Sequence, residues 1–171
     1  MLSGLPQNVD LYRLAVARET FEGRIEQSLF GRLASIAHET ERWVDVALRF
    51  GTEEGIHYLC GGLKSKFTLI CQRCLEPMEV AVDAPLRFGF VRNQEEENRL
   101  PEPFEPLWVD REEMNLLSII EDELLLALPL VAMHPPDQCP AWVEPEQGSH
   151  GARGGGANPF SVLAVLRRDE H

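Results

Sequence analysis

Three extended segments, joined by connections only a few residues long, restrict this chain more than anything else in its sequence. "RWVDVALRF" (42–50) alternates, with Trp43 opposed to Val44 and with Val46, Leu48 and Phe50 on one face. "IHYLCGGLKSKFTLIC" (56–71) and "MEVAVDAPLRFGFV" (78–91) are longer still. Alternation with period two places successive side chains on opposite faces of a strand. "GTEEG" (51–55) and "CQRCLEP" (71–77) are of hairpin length, so the three segments form an antiparallel meander. Gly61-Gly62 predicts a bulge or bend in the second strand. "FEGRIEQ" (21–27) alternates as a further strand, and "VDLYRLA" suggests a first one in the lead-in. "GRLASIA" (31–37) fits a helical turn or a strand start.

The pattern changes after Val91. "RNQEEENRLPEPFEP" (92–106), acidic and with three prolines, predicts a flexible surface loop. In "DREEMNLLSIIEDELLLALPL" the spacing predicts a helix at about 115–128. Asn115 is its N-cap, Leu117, Ile120, Leu124 and Leu128 form the apolar stripe, and Pro129 is the stop. Glu121, Asp122 and Glu123 cannot all face the core, so at least two form an exposed acidic patch. "EPEQGSHGARGGGA" (144–157), with five glycines, reads as a flexible linker. In "NPFSVLAVLRRDEH" (158–171), Asn158 and Pro159 open a short helix with Phe160 and Leu163 on its apolar face. The expected architecture is α+β: an antiparallel sheet, meander or partly open barrel, packed on the 115–128 helix. One domain spans 1–143, followed by the linker and the C-terminal helical segment.

Chemistry centres on "CQRCLEP" and "HPPDQC" (134–139). A C-x-x-C turn lets two sulfurs converge on one point. His134 and Cys139 would supply two more ligands from a proline-held loop after the helix. Cys71, Cys74, His134 and Cys139 would form a tetrahedral Cys₃His zinc site, and four protein ligands make such a site structural. Two other readings stand beside it. A redox C-x-x-C usually opens a helix in a βαβ setting, whereas extended segments and Pro77 flank this one. Alternatively Cys71 and Cys74 pack as small apolar side chains. Cys60, in an apolar strand, is expected in the core. There is no G-x-S-x-G, phosphate loop or HExxH, so no enzyme is predicted.

Acidic residues number 28 against 16 lysines and arginines, a net charge of −12. This disfavours binding RNA through phosphates and favours a basic partner. The first thirty residues carry charges at their apolar positions, and no apolar run approaches the roughly 20 residues of a membrane span, so a cytoplasmic protein is expected.

"CQRCLEP", then "EDELLLALPLVAMH" with a cysteine close by, then the terminal "NPFSVLAVLRR" resemble, in order and spacing, the YceD family of large ribosomal RNA subunit accumulation proteins. The resemblance implies a bacterial cytoplasmic protein that supports normal levels of large-subunit ribosomal RNA, with no established reaction. Together with the charge it suggests a protein that holds a basic ribosomal protein or large-subunit assembly intermediate. Its contact surface would be the acidic region 94–123, with Glu121, Asp122 and Glu123, and Phe160 and Leu163 in the terminal helix. The alternatives are a zinc-knuckle nucleic-acid binder using Lys64, Lys66, Arg73 and Arg87, and a thiol oxidoreductase or zinc hydrolase.

Overall fold

The computed structural model describes residues 8–37, 39–40 and 42–139. The linker expected at 144–157 and the helix expected at 158–171, with Phe160 and Leu163, lie outside these residues. In chain order the elements are β1 (Asn8–Val9), α1 (Leu11–Ala17), β2 (Thr20–Glu26), α2 (Gly31–Ala34), β3 (Glu39–Thr40) and β4 (Trp43–Glu53). There follow β5 (Ile56–Ile70), β6 (Pro77–Val91), α3 (Gln94–Asn98), β7 (Glu105–Trp108), β8 (Met114–Asn115) and α4 (Leu116–Ala127). None of these helices is long and apolar enough to cross a membrane.

The predicted meander forms the centre of the molecule. β4, β5 and β6 pair antiparallel in sequence order, β2 adds antiparallel to β4, and β3 pairs with β5. The β4–β5 turn is only Glu54-Gly55, both at positive φ (50° and 81°). Such a pair matches the twist of the flanking strands. The Gly61-Gly62 pair makes no bulge, because pairing continues unbroken from Leu48↔Gly61 to Ala47↔Gly62. Gly61 is required for closeness instead: a Cβ there would collide with the carbonyl oxygen of Ala47.

The sheet buries one face. Val44, Val46, Leu48 and Phe50 of β4 join Leu59, Leu63 and Phe67 of β5 and Val82, Leu86 and Phe88 of β6 in a single core. Leu11 and Ala15 of α1, Leu33 of α2, and Leu116, Ile119, Ile120 and Leu124 of α4 close over it. The other face is polar, with cross-strand pairs Arg24–Asp45, Lys64–Asp83 and Lys66–Glu79 at 2.7, 3.0 and 2.9 Å. One covered and one wet face is the usual arrangement of an antiparallel sheet. The sheet stays open: its path runs β2-β4-β5-β6-β7 without closing into a barrel.

Three local expectations change. "VDLYRLA" is mostly helix, because Asp10 accepts from the Arg13 N–H at 2.9 Å and caps α1, which buries Leu11 and Ala15 one turn apart. The acidic stretch 92–106 is structured. Asn93 caps α3 through the Glu96 N–H at 2.9 Å. β7 then adds parallel to the end of β6, with Phe88↔Glu105 and Val91↔Trp108 in register. Cys60 leaves the core: it is half-buried on the open face, opposite Arg49 and Arg87. Burial raises its pKa, and the two arginines partly offset this.

α4 forms where predicted, with Ile120 and Leu124 buried as expected, but Leu116 and Ile119 complete its buried face while Leu117 and Leu128 are only half-buried. The Asn115 side chain accepts from the Ser118 N–H at 3.0 Å, and Leu128, ahead of Pro129, has an extended ψ of 145°. Of the acidic triplet, Glu121 points inward. Its Oε1 accepts the backbone N–H groups of Arg32 at 2.7 Å and Leu33 at 3.2 Å, and its Oε2 accepts from Arg32 Nε at 3.0 Å. Arg32 also reaches Asp122 at 2.7 Å. This fork ties α2 to the middle of α4. Asp122 stays exposed and Glu123 is half-buried, so two members of the triplet remain toward the surface.

Candidate metal centre

The centre lies at the distal end of the β5–β6 hairpin. β5 ends at Ile70, and the chain reverses through Cys71–Glu76 before β6 begins at Pro77. Two bonds fix the reversal: the Leu75 N–H to the Cys71 carbonyl and the Cys71 N–H to the Glu76 carbonyl, both 2.9 Å. Leu75 adopts φ 63°, the left-handed region, directly after the second cysteine.

The second half arrives from α4. Pro129 stops the helix, and the chain runs back across the turn, where the Ala132 carbonyl accepts the Gln72 N–H at 2.8 Å. Ala132 is buried there. His134 follows, then a 3₁₀ turn over Pro136–Gln138, then the buried Cys139. The two prolines, both exposed, stiffen this loop by fixing φ.

The four donor atoms of Cys71, Cys74, His134 and Cys139 lie within 4.8 Å of one another. His134 Nδ1 is 3.3 Å from Cys74 Sγ, and the His134 N–H donates to Cys71 Sγ at 3.3 Å. Donors at about 2.3 Å from a tetrahedral zinc are roughly 3.8 Å apart. The set is therefore close enough to bind a metal ion with little further closure. The sulfurs form their own small cluster, which Met78 bridges to the main core, and none is in a disulfide.

Electrostatics favour a cation. Burial disfavours a thiolate at Cys71, but the N–H groups of Cys74, His134 and Arg73 and the hydrogen bond with Cys74 outweigh it, lowering its pKa to about 5. Burial, together with the hydrogen bonds that the Cys139 S–H donates to the Cys74 and Cys71 sulfurs, pushes Cys139 up to about 11. One sulfur is thus pre-set as a thiolate while another holds its proton. Crowded thiolates repel, and a bound cation removes that repulsion.

All four sequence-predicted ligands meet. Of the predicted contact residues, Glu121 serves the α2–α4 fork. What the sequence does not announce is the backbone support, the Ala132–Gln72 stitch and the N–H groups aimed at Cys71 Sγ.

The fold and site together define a class: a small α+β domain with an open one-sided sheet, whose far hairpin is pinned to a helix end by a Cys₃His knuckle. The pattern described as "Large ribosomal RNA subunit accumulation protein YceD" matches residues 59–167. The chain is 31% identical over 173 residues to the "Large ribosomal RNA subunit accumulation protein YceD" of Haemophilus influenzae, covering 96% of this chain and 97% of that one. The chain belongs to the YceD family. No solved structure matches it.

Proposed function

We propose that this protein is a cytoplasmic, non-enzymatic factor in ribosome biogenesis that supports accumulation of large-subunit ribosomal RNA. It does so by holding a basic ribosomal protein or assembly intermediate, with a structural zinc ion in the Cys71/Cys74/His134/Cys139 knuckle. The family supports the biological setting. The donor set supports zinc, since thiolates and imidazole are its preferred ligands and four of them leave no position open for a reacting group.

The observation that carries the partner reading is the disposition of charge. The excess of acid, −12 overall, is accompanied by ion pairing of both lysines that a nucleic-acid face on the open sheet would use. Lys64 faces Asp83 and Lys66 faces Glu79 across the open sheet, and Arg73 reaches the Met133 sulfur at 3.8 Å. Carboxylates beside the lysines oppose phosphate binding through that face.

The test is affinity capture of the tagged full-length protein at low salt, with proteins and RNA quantified separately. Enrichment of large-subunit ribosomal proteins that survives RNase supports the reading. Tight binding to purified ribosomal RNA, with a steep salt dependence and no ribosomal-protein enrichment, would overturn it in favour of the nucleic-acid-binding alternative. Substoichiometric zinc in the native protein would remove the metal half.

A further inference from the structure

α4 outruns the sheet that it covers. Leu124 is fully buried, but beyond it Leu126 is 78% exposed, Leu130 98%, Val131 52% and Met133 42%. Four large apolar side chains thus follow one another along the end of the helix and the strap leading to the knuckle. The strap is fixed beneath them by the buried Ala132 and its bond to Gln72. A fixed backbone that turns this much apolar surface outward marks an interaction site.

The border of this strip is acidic. Asp122 lies one turn before Leu126, its side chain 55% exposed and one carboxylate oxygen paired with Arg32 at 2.7 Å. Half-buried Glu123 feels the negative charges of both Glu105 and Asp122. The occupant should therefore be apolar, with cations at one end.

The chain itself carries such a segment. Beyond Cys139 there are 171 − 139 = 32 further residues, and in them "NPFSVLAVLRR" (158–168) sets Phe160, Val162, Leu163, Val165 and Leu166 ahead of Arg167-Arg168, without one carboxylate. The chain leaves the described residues at Cys139, beside the strip. A random-coil chain of 18 residues, the number between Cys139 and Asn158, spans about 23 Å on average. That compares with about 18 Å for the 12 residues of α4. A tether of this length holds its end at millimolar effective concentration, enough for a weak contact to form.

We propose that residues 159–168 lie across Leu126, Leu130, Val131 and Met133 of the same molecule, with Arg167 and Arg168 toward Asp122 and Glu123. Phe160 and Leu163 then serve as the anchors of an internal contact.

The experiment uses the full-length chain with a benzophenone amino acid in place of Leu163. Illumination should give a product of monomer mass, cross-linked within 126–133, at a yield independent of protein concentration. Adding L126D and L130D, both at exposed positions, should lower that yield at least fivefold. A second measurement avoids any change to the folded part: F160D with L163D should accelerate amide hydrogen exchange across 125–133 at least tenfold. Cross-links scattered over the sheet, a product of dimer mass, or unchanged exchange in the F160D/L163D protein would each overturn the proposal. The second of these would assign the strip to another copy of the chain.

Discussion

His134 Nδ1 stands 3.3 Å from Cys74 Sγ, although 60 residues of chain separate them. The Gln72–Ala132 bond and the bond from the His134 N–H to Cys71 Sγ hold the two segments together, and the side chains so placed could share one ion. Cys74→Ser or His134→Ala should each reduce bound zinc well below one equivalent and destabilise the protein by on the order of 4 kcal/mol. Metal analysis and thermal melts with and without chelator check this. A chelator should lower the Tm of the parent strongly and that of the variants little.

Metal affinity should climb with pH. Throughout neutral pH the ion must displace the proton that Cys139 holds up to about 11, so affinity rises about tenfold per pH unit or more. Below about 5, Cys71 takes up a proton as well, and the dependence steepens. The metal-free protein follows the same two groups. The lowered Cys71 adds stability that is lost as pH falls from about 9 toward 5, and the raised Cys139 adds stability that is lost as pH rises from about 9 toward 11. Competition with a chromophoric chelator at several pH values is the measurement, and a flat profile would contradict the assignment of these thiols as ligands.

Glu121→Ala should destabilise by about 1–3 kcal/mol, since it strips the acceptor from the N–H groups of Arg32 and Leu33. Burial raises the Glu121 pKa, but Arg32 and the two N–H groups together pull it below the ordinary carboxylate value. Its stabilising effect is therefore present above about pH 4.5 and disappears as pH falls through the lowered value. Urea melts at pH 7 and pH 3 should show a smaller difference between parent and variant at the second than at the first.

Gly61→Ala should be far more harmful than an alanine at Gly31, where an added Cβ meets nothing. At Gly61 the new atom would strike backbone of the neighbouring strand, the Ala47 carbonyl, with Leu48 Cα 3.1 Å away. A loss on the order of 2 kcal/mol or more is expected from the strand shift this forces. Comparing the urea midpoints of the two variants settles it; equal midpoints would mean that the β4–β5 register is not as described.

The sequence made plain whatever repeats with a short period. Alternation disclosed β4, β5 and β6, and the run from Asn115 to Pro129 disclosed α4 with both its ends. The four metal donors were legible because each pair is local, two in one turn and two in one proline-held loop. What stayed hidden depends on partners far away in the chain. Asp10 and Asn93 each cap a short helix whose neighbours read as strand or loop, and β7 gains its strand identity from the edge of β6. Glu121 looks like surface within its acidic run, and only the backbone of α2 explains why it turns inward. Gly61 reads as a bend because the atom it makes room for belongs to another strand.

The sixty-residue gap across the knuckle also sets an order of events during synthesis. A ribosome making this chain releases Cys71 and Cys74 while His134 and Cys139 are still unmade, so the early pair can offer an ion only half a cage. Closure must wait until α4 has emerged and folded back, so the four donors come together only when the sheet is nearly finished, and any ion they take up is taken up late.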